Sequence, residues 1–298
     1  MPHNVKPGTP AAAIEVAGIE ALMASIAFFR NLEPVAGSDS DTDTGSGSSG
    51  GLEWTGMEQL GRARLLLTKT VAGVVTIVLG VAAVVIGLVS NRAAAPVVHL
   101  WGRVLVRLIG VPVAVEGLDH IAHRGRYVIM ANHESVLDIP VLLTALPESL
   151  EIRFLAKKSL FAVPFLGWAM SSAGFIPVNR EEPSTAPAMF VRTLDEVRRG
   201  GSPLVFPEQT WTTDGRLLRF ARGGFLVALK TGLPVLPVGL EGPRIVMPPD
   251  ERAVRPRPVT VRIGAPIQTA EMRVSGLPDL IARTRTEINR LRGVDGHR

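Results

Sequence analysis

The chain has 298 residues, 46% of them apolar and 20% charged, enough apolar material for one sizeable core and too much for wholesale disorder. It has no cysteine, which excludes disulfides, thiol nucleophiles and cysteine-ligated zinc or iron–sulfur centres. The net charge of +5 is uneven: residues 1–60 carry two basic and eight acidic side chains, whereas residues 61–298 carry 30 and 19, and that positive body calls for an anionic partner.

Aromatic residues make up only 5% of the chain, with a single tyrosine, so base-stacking surfaces are scarce and nucleic acid is not the expected partner. None of the six histidines forms an H-x-x-x-H pair with a nearby acid, so no zincin-type metal site is expected.

Residues 1–35 form an extension in which the spacing of Ile19, Leu22, Met23 and Ile26 predicts a short amphipathic helix over 12–30. Glu15 and Glu20 interrupt it and no basic segment precedes it, so it is not read as a signal peptide. Residues 36–52, acidic and rich in Ser and Gly, read as a solvated linker. Residues 53–111 read as membrane-associated helices. Within them 71–90 is a run of 20 uncharged, mostly apolar residues, long enough at about 1.5 Å per residue to cross a hydrocarbon layer of roughly 30 Å. Arg62, Arg64 and Lys69 before the run balance Arg92, Arg103 and Arg107 after it, so charge does not set its orientation. His99, Arg103 and Arg107 then share one helical face, which reads as an interfacial amphipathic helix, the return arm of a hairpin, or a surface helix of the following domain.

From residue 112 to 298 the pattern alternates. Strands are predicted at 112–116, 126–131, 152–156, 174–178, 203–206, 234–240 and 258–263, with helices at 135–146, 159–172, 186–200, 221–231 and 277–292. This predicts an α/β domain with a mixed, mostly parallel sheet flanked by helices. The strand at 234–240, bracketed by Pro234 and Pro237, reads as an edge strand.

Five blocks in this domain carry candidate chemistry. Asn132-His133-Glu134-Ser135-Val136-Leu137-Asp138 follows a strand and opens a helix, placing a histidine at a sheet edge with a carboxylate five residues on. Such a carboxylate can fix the imidazole tautomer and leave the other ring nitrogen as a base, although either residue can instead be a plain helix cap. Lys157-Lys158 and Asn179-Arg180 place cations at strand ends, suited to a phosphate or carboxylate or to a solvated rim. Phe206-Pro207-Glu208-Gln209-Thr210-Trp211 brings an acid out of an apolar strand, and Leu233-Pro234-Val235-Leu236-Pro237-Val238-Gly239 is the proline-bracketed strand. Ser135 is the only hydroxyl near His133, and no G-x-S-x-G elbow exists within residues 112–298, which counts against an esterase or thioesterase.

In this order, and with Ala156-Lys157-Lys158-Ser159-Leu160 and Pro164-Phe165-Leu166-Gly167 between, the blocks resemble the 1-acyl-sn-glycerol-3-phosphate acyltransferase family over about residues 110–265. The resemblance implies a membrane-bound O-acyltransferase. Its acyl donor is acyl-coenzyme A or acyl-carrier protein, a co-substrate rather than a resident cofactor, and its acceptor is the free hydroxyl of a lysophospholipid. It implies His133 as general base, Asp138 as its orienting partner and Asn132 as holder of the turn. Lys157, Lys158 and Arg180 would lie near the acceptor phosphate, with Glu208 near its glycerol and Thr210 in the same substrate-binding block. A cell-membrane location with the catalytic domain on the cytoplasmic face follows from where such donors reside. The family's F-P-E-G-T-R block departs here: Gln209 replaces Gly and Trp211 replaces Arg. That opens a different acceptor, such as a lyso-ornithine lipid, with Arg216, Arg219 or Arg222 as substitute cations. An inactive membrane adaptor keeping the fold is the non-enzymatic alternative.

Overall fold

A computed structural model describes residues 62–293 except 164, 180, 181, 213 and 249–253. The expected helix at 12–30, the expected linker at 36–52 and Arg180 lie outside the described residues. Two helices open the described chain, α1 (Arg62–Gly87) and α2 (Asn91–Ile109), joined by a three-residue turn. They pack side by side as a hairpin, with the Trp101 indole donating to the Thr76 hydroxyl at 3.0 Å. The outer face of α1 is an apolar stripe: Val74, Val78, Val81 and Val85 are all exposed. One helical segment, Thr70–Gly87, is long and apolar enough to cross a membrane.

α2 serves the domain beneath it. His99 is buried and its ring bonds to the Leu143 carbonyl at 2.7 Å, while Arg103 pairs with Glu148. The three cationic positions that share a face in the sequence are therefore divided between core, ion pair and solvent.

The domain is a single seven-stranded sheet: β1 (Val113–Glu116), β2 (Val128–Ala131), β3 (Ile152–Lys157), β4 (Ile176–Val178), β5 (Ser202–Val205), β6 (Val235–Glu241) and β7 (Val259–Ile263), in spatial order β1-β7-β6-β2-β5-β3-β4. The five strands from β6 to β4 run parallel; β7 is antiparallel to β6 and parallel to β1. Helices flank both faces: α3 (Asp138–Ala145), α4 (Leu166–Ser172), α5 (Ala186–Arg198), α6 (Gly223–Thr231), the short α7 (Pro243–Val246) and α8 (Leu277–Leu291). Both faces are closed, which explains why β2 is buried at all four residues rather than alternating. One core joins α3 to the sheet through residues such as Ile129, Leu142 and Phe154; a second, through Met130, Phe225 and Ile288, lies on the other face.

β6 corrects the edge-strand expectation, because it lies between β7 and β2. Val235 exchanges both backbone hydrogen bonds with Ile267 on the β7 side, and two residues on Pro237 faces that same side. There the chain bulges through Ala265 and Pro266, and Gly264 donates to the Pro237 carbonyl at 2.9 Å. The missing proline N–H thus falls where no acceptor awaits it.

Two glycines permit close approaches. Gly167 lies against the Phe161 carbonyl, where a Cβ would overlap it, so packing holds this position to glycine. At Gly239 in β6, a Cβ would meet the Leu291 backbone at 2.5 Å and the Arg292 nitrogen at 2.7 Å. Gly239→Ala should therefore push the end of α8 off the sheet and cost about 1–3 kcal/mol; a melting temperature equal to wild type would contradict that packing.

Candidate active site

Because β2, β3, β4 and β5 are parallel, the segments that leave them gather at one edge of the sheet, where open α/β sheets place their ligands. His133 follows β2, Lys157 ends β3 and Lys158 follows it, Asn179 follows β4, and Glu208, Thr210 and Trp211 follow β5. Lys157, Lys158 and Thr210 are exposed; His133, Asp138, Asn132 and Glu208 are buried.

The turn after β2 is built by its own side chains. Asn132 continues the sheet: its amide donates to the Leu240 carbonyl at 2.9 Å and its oxygen accepts the Leu240 N–H at 2.7 Å. The helix expected from residue 135 begins at Asp138 instead. Asp138 Oδ2 accepts the backbone N–H of Glu134 at 2.6 Å and of Ser135 at 3.0 Å, closing a tight turn ahead of α3. The same oxygen lies 2.7 Å from His133 Nδ1. The carboxylate assigns the proton to Nδ1 and leaves Nε2 with a free lone pair. The aspartate is fully buried, and its Oδ1 has no hydrogen-bond partner.

The imidazole is held on its faces as well. It stacks on Phe206, with ring centroids 4.1 Å apart and planes at 14°, and meets Trp211 edge-on at 5.5 Å. Trp211 thus forms an aromatic wall beside the histidine, at a position where the F-P-E-G-T-R block that the sequence resembles has arginine. Arg216, Arg219 and Arg222 are exposed in the segment that follows.

Glu208 fastens two loops. Its Oε1 accepts the His133 N–H at 2.9 Å and its Oε2 accepts the Leu218 N–H at 2.7 Å. Burial raises its pKa, and those two backbone bonds oppose the rise. Each oxygen thus accepts one main-chain N–H, and Glu208 ties the turn after β2 to the loop at Leu218. Gln209 sits at φ 63°, a left-handed conformation that glycine adopts without strain, which accounts for glycine at this position in the family block.

The Ser135 hydroxyl is committed: it donates to the Met247 carbonyl at 2.7 Å and accepts the Leu137 N–H. Beside the site, an apolar cleft between the sheet and α5 and α6 is lined by Leu155, Val178, Phe190, Val205 and Val227, and reaches Phe206. Among the described residues no cluster of His, Asp and Glu has metal-site geometry.

The family signature described as Acyltransferase matches residues 112–241, the stretch that holds every block above. The chloroplastic 1-acyl-sn-glycerol-3-phosphate acyltransferase of Brassica napus is 38% identical over 135 residues, 45% of this chain and 38% of that protein. The 1-acyl-sn-glycerol-3-phosphate acyltransferase of Saccharomyces cerevisiae is 30% identical over 189 residues, 62% of this chain and 61% of that protein. The chain thus spans less than two thirds of the length of either relative. In fold it resembles the crystal structure of the 1-acyl-sn-glycerophosphate acyltransferase PlsC from Thermotoga maritima. The TM-score is 0.66 at 23% identity, over 78% of this chain and 97% of that one.

Proposed function

From the acyltransferase-family match over residues 112–241, we propose that this protein transfers a fatty acyl group from acyl-coenzyme A or acyl-carrier protein to the free hydroxyl of 1-acyl-sn-glycerol-3-phosphate, giving phosphatidic acid. The observation that carries the reading is the 2.7 Å contact between His133 Nδ1 and Asp138 at the ligand-binding edge of a parallel sheet.

In this mechanism Nε2 takes the hydroxyl proton as the acceptor oxygen attacks the thioester carbonyl. Asp138 stabilises the imidazolium so formed. The tetrahedral intermediate collapses, the carbon–sulfur bond breaks, and the imidazolium returns its proton to the departing thiolate. No acyl-enzyme is needed, in keeping with a Ser135 hydroxyl already bonded on both sides. Lys157 and Lys158 at the end of β3, together with Arg180, supply positive charge for the acceptor phosphate. The apolar cleft reaching Phe206 has the chemistry an acyl chain requires. The exposed apolar stripe of α1 suits a bilayer, which would set the site at the lipid–water boundary of the cell membrane with donors arriving from the cytoplasm.

Trp211 beside His133 favours a second reading, in which the acceptor is another lysolipid, such as a lyso-ornithine lipid. One assay separates the alternatives: labelled acyl-coenzyme A with a panel of lysolipids in detergent. Free coenzyme A should appear only when acceptor is present, with the label in phosphatidic acid. Label in another lipid moves the acceptor assignment. Equal release without any acceptor would make the protein a thioesterase, and no turnover with any donor would favour an inactive adaptor.

A further inference from the structure

Two buried charges beside the His133 turn are not used by the mechanism above. Glu134, inside the His133 turn, is 6% exposed, and Arg292, just beyond the end of α8, is 3% exposed. An Arg292 Nη2 atom lies 3.7 Å from Glu134 Oε1 and donates to the Gly215 carbonyl, while Nε has no hydrogen-bond partner. Glu134 Oε1 also accepts the Asn132 amide at 3.2 Å, the same amide that grips Leu240. The guanidinium therefore joins the turn that carries His133 to the loop at 215, which leads on to Leu218 and the Glu208 clamp.

Without Arg292 this corner would hold a concentration of negative charge. Asp138, Glu134 and Glu208 are all buried around one imidazole. The groups facing Glu134 are Asp138 from α3, Arg292 from beyond α8, and Arg244 from α7, whose backbone N–H also bonds to it. Burial, and then the Asp138 charge, push Glu134 up to about 7, against the pull of both arginines. Arg292 likewise attracts Glu208. The approach at Gly239 fixes the Arg292 backbone against β6, so the guanidinium reaches the turn from a braced position.

We propose that Glu134 and Arg292 are positioning residues for the His133–Asp138 pair: a buried charge pair that holds the turn and sets the electrostatic balance in which the imidazole takes up its proton. The proposal rests on the acyl-transfer reading above. It assigns a role to the C-terminal end of the chain, outside the family-matched segment.

The test is a set of full-length variants assayed for kcat, acceptor KM, the pH profile of kcat/KM and melting temperature. Arg292→Met should lower kcat by roughly 10- to 100-fold with little change in KM, because the turn is displaced rather than the acceptor site. Arg292→Lys should recover part of that loss. Glu134→Gln keeps the size and polarity of the side chain while removing an anion beside His133. It should shift the rising limb of the profile to lower pH by about half a unit. Adding Arg292→Met to Glu134→Gln should move the limb back up, because a cation is then removed. This double variant removes both members of the pair, leaves no charge of that pair stranded, and should fold even if Arg292→Met alone does not. A limb at the wild-type pH in Glu134→Gln that also fails to rise when Arg292→Met is added would overturn the proposal while leaving the acyltransferase reading intact. An inactive wild type with every donor and acceptor would instead overturn the acyltransferase reading.

Discussion

Replacing His133 with alanine should lower acyl transfer by roughly 10²–10⁴-fold, since the proton on the attacking hydroxyl then has no positioned acceptor. The effect should fall on kcat more than on acceptor KM, because proton transfer belongs to the transition state. The imidazole is stacked on Phe206 and bonded to Asp138, so its removal also leaves a small void. That costs about 1–2 kcal/mol, a lowered melting temperature rather than an unfolded protein. Circular dichroism and a melting curve beside the kinetics separate the two effects. Wild-type turnover in this variant would remove the assigned base.

The second large effect belongs to Asp138. Its Oδ2 accepts three donors, the His133 ring and the N–H groups of Glu134 and Ser135, while its Oδ1 is buried without a partner. An asparagine has no satisfactory orientation in this place. With its oxygen toward the turn, its amide nitrogen enters the Oδ1 position and finds no acceptor. With its nitrogen toward the turn, it faces two backbone donors and reverses the imidazole tautomer. Asp138→Asn should therefore lower kcat by about 10³-fold through loss of the oriented base. It should also cost about 1–3 kcal/mol from a buried unsatisfied polar group. A variant that kept kcat within a few-fold of wild type would show that the carboxylate caps the turn and does nothing for the base.

The site was legible wherever its parts are close in sequence. His133 and Asp138 flank one strand-to-helix junction, and a parallel sheet explains why residues after β2, β3 and β5 meet at one edge. The five-residue spacing would separate the pair within a helix; it works because α3 begins only at Asp138, which spends two of its hydrogen bonds on the turn before it. The strands followed from their apolar, β-branched runs, but the order of the sheet did not. Pro237 argued for an edge, and only the bulge at Ala265–Pro266, in a different part of the chain, makes it tolerable inside.

What stayed hidden are contacts between distant segments. Glu208 reads in the sequence as an acid aimed at substrate, and nothing local shows that each of its oxygens also accepts a backbone N–H, from residues 133 and 218. Phe206 reads as the end of a buried strand, yet it is the platform under the histidine. Arg292 is one of several arginines in and just beyond α8, and no local pattern distinguishes it. Its burial against β6, which the side-chain-free surface of Gly239 permits, singles it out.

The central claim is that the neutral imidazole of His133 takes the proton from the acceptor hydroxyl. The most direct measurement compares the pH dependence of kcat/KM for wild type with that of the residual activity of His133→Ala, using acyl-coenzyme A and 1-acyl-sn-glycerol-3-phosphate. Wild-type activity should climb with pH as the imidazole loses its proton, and the residual rate of the variant should lack that limb. The same limb in both proteins would place the titrating base elsewhere and contradict the account.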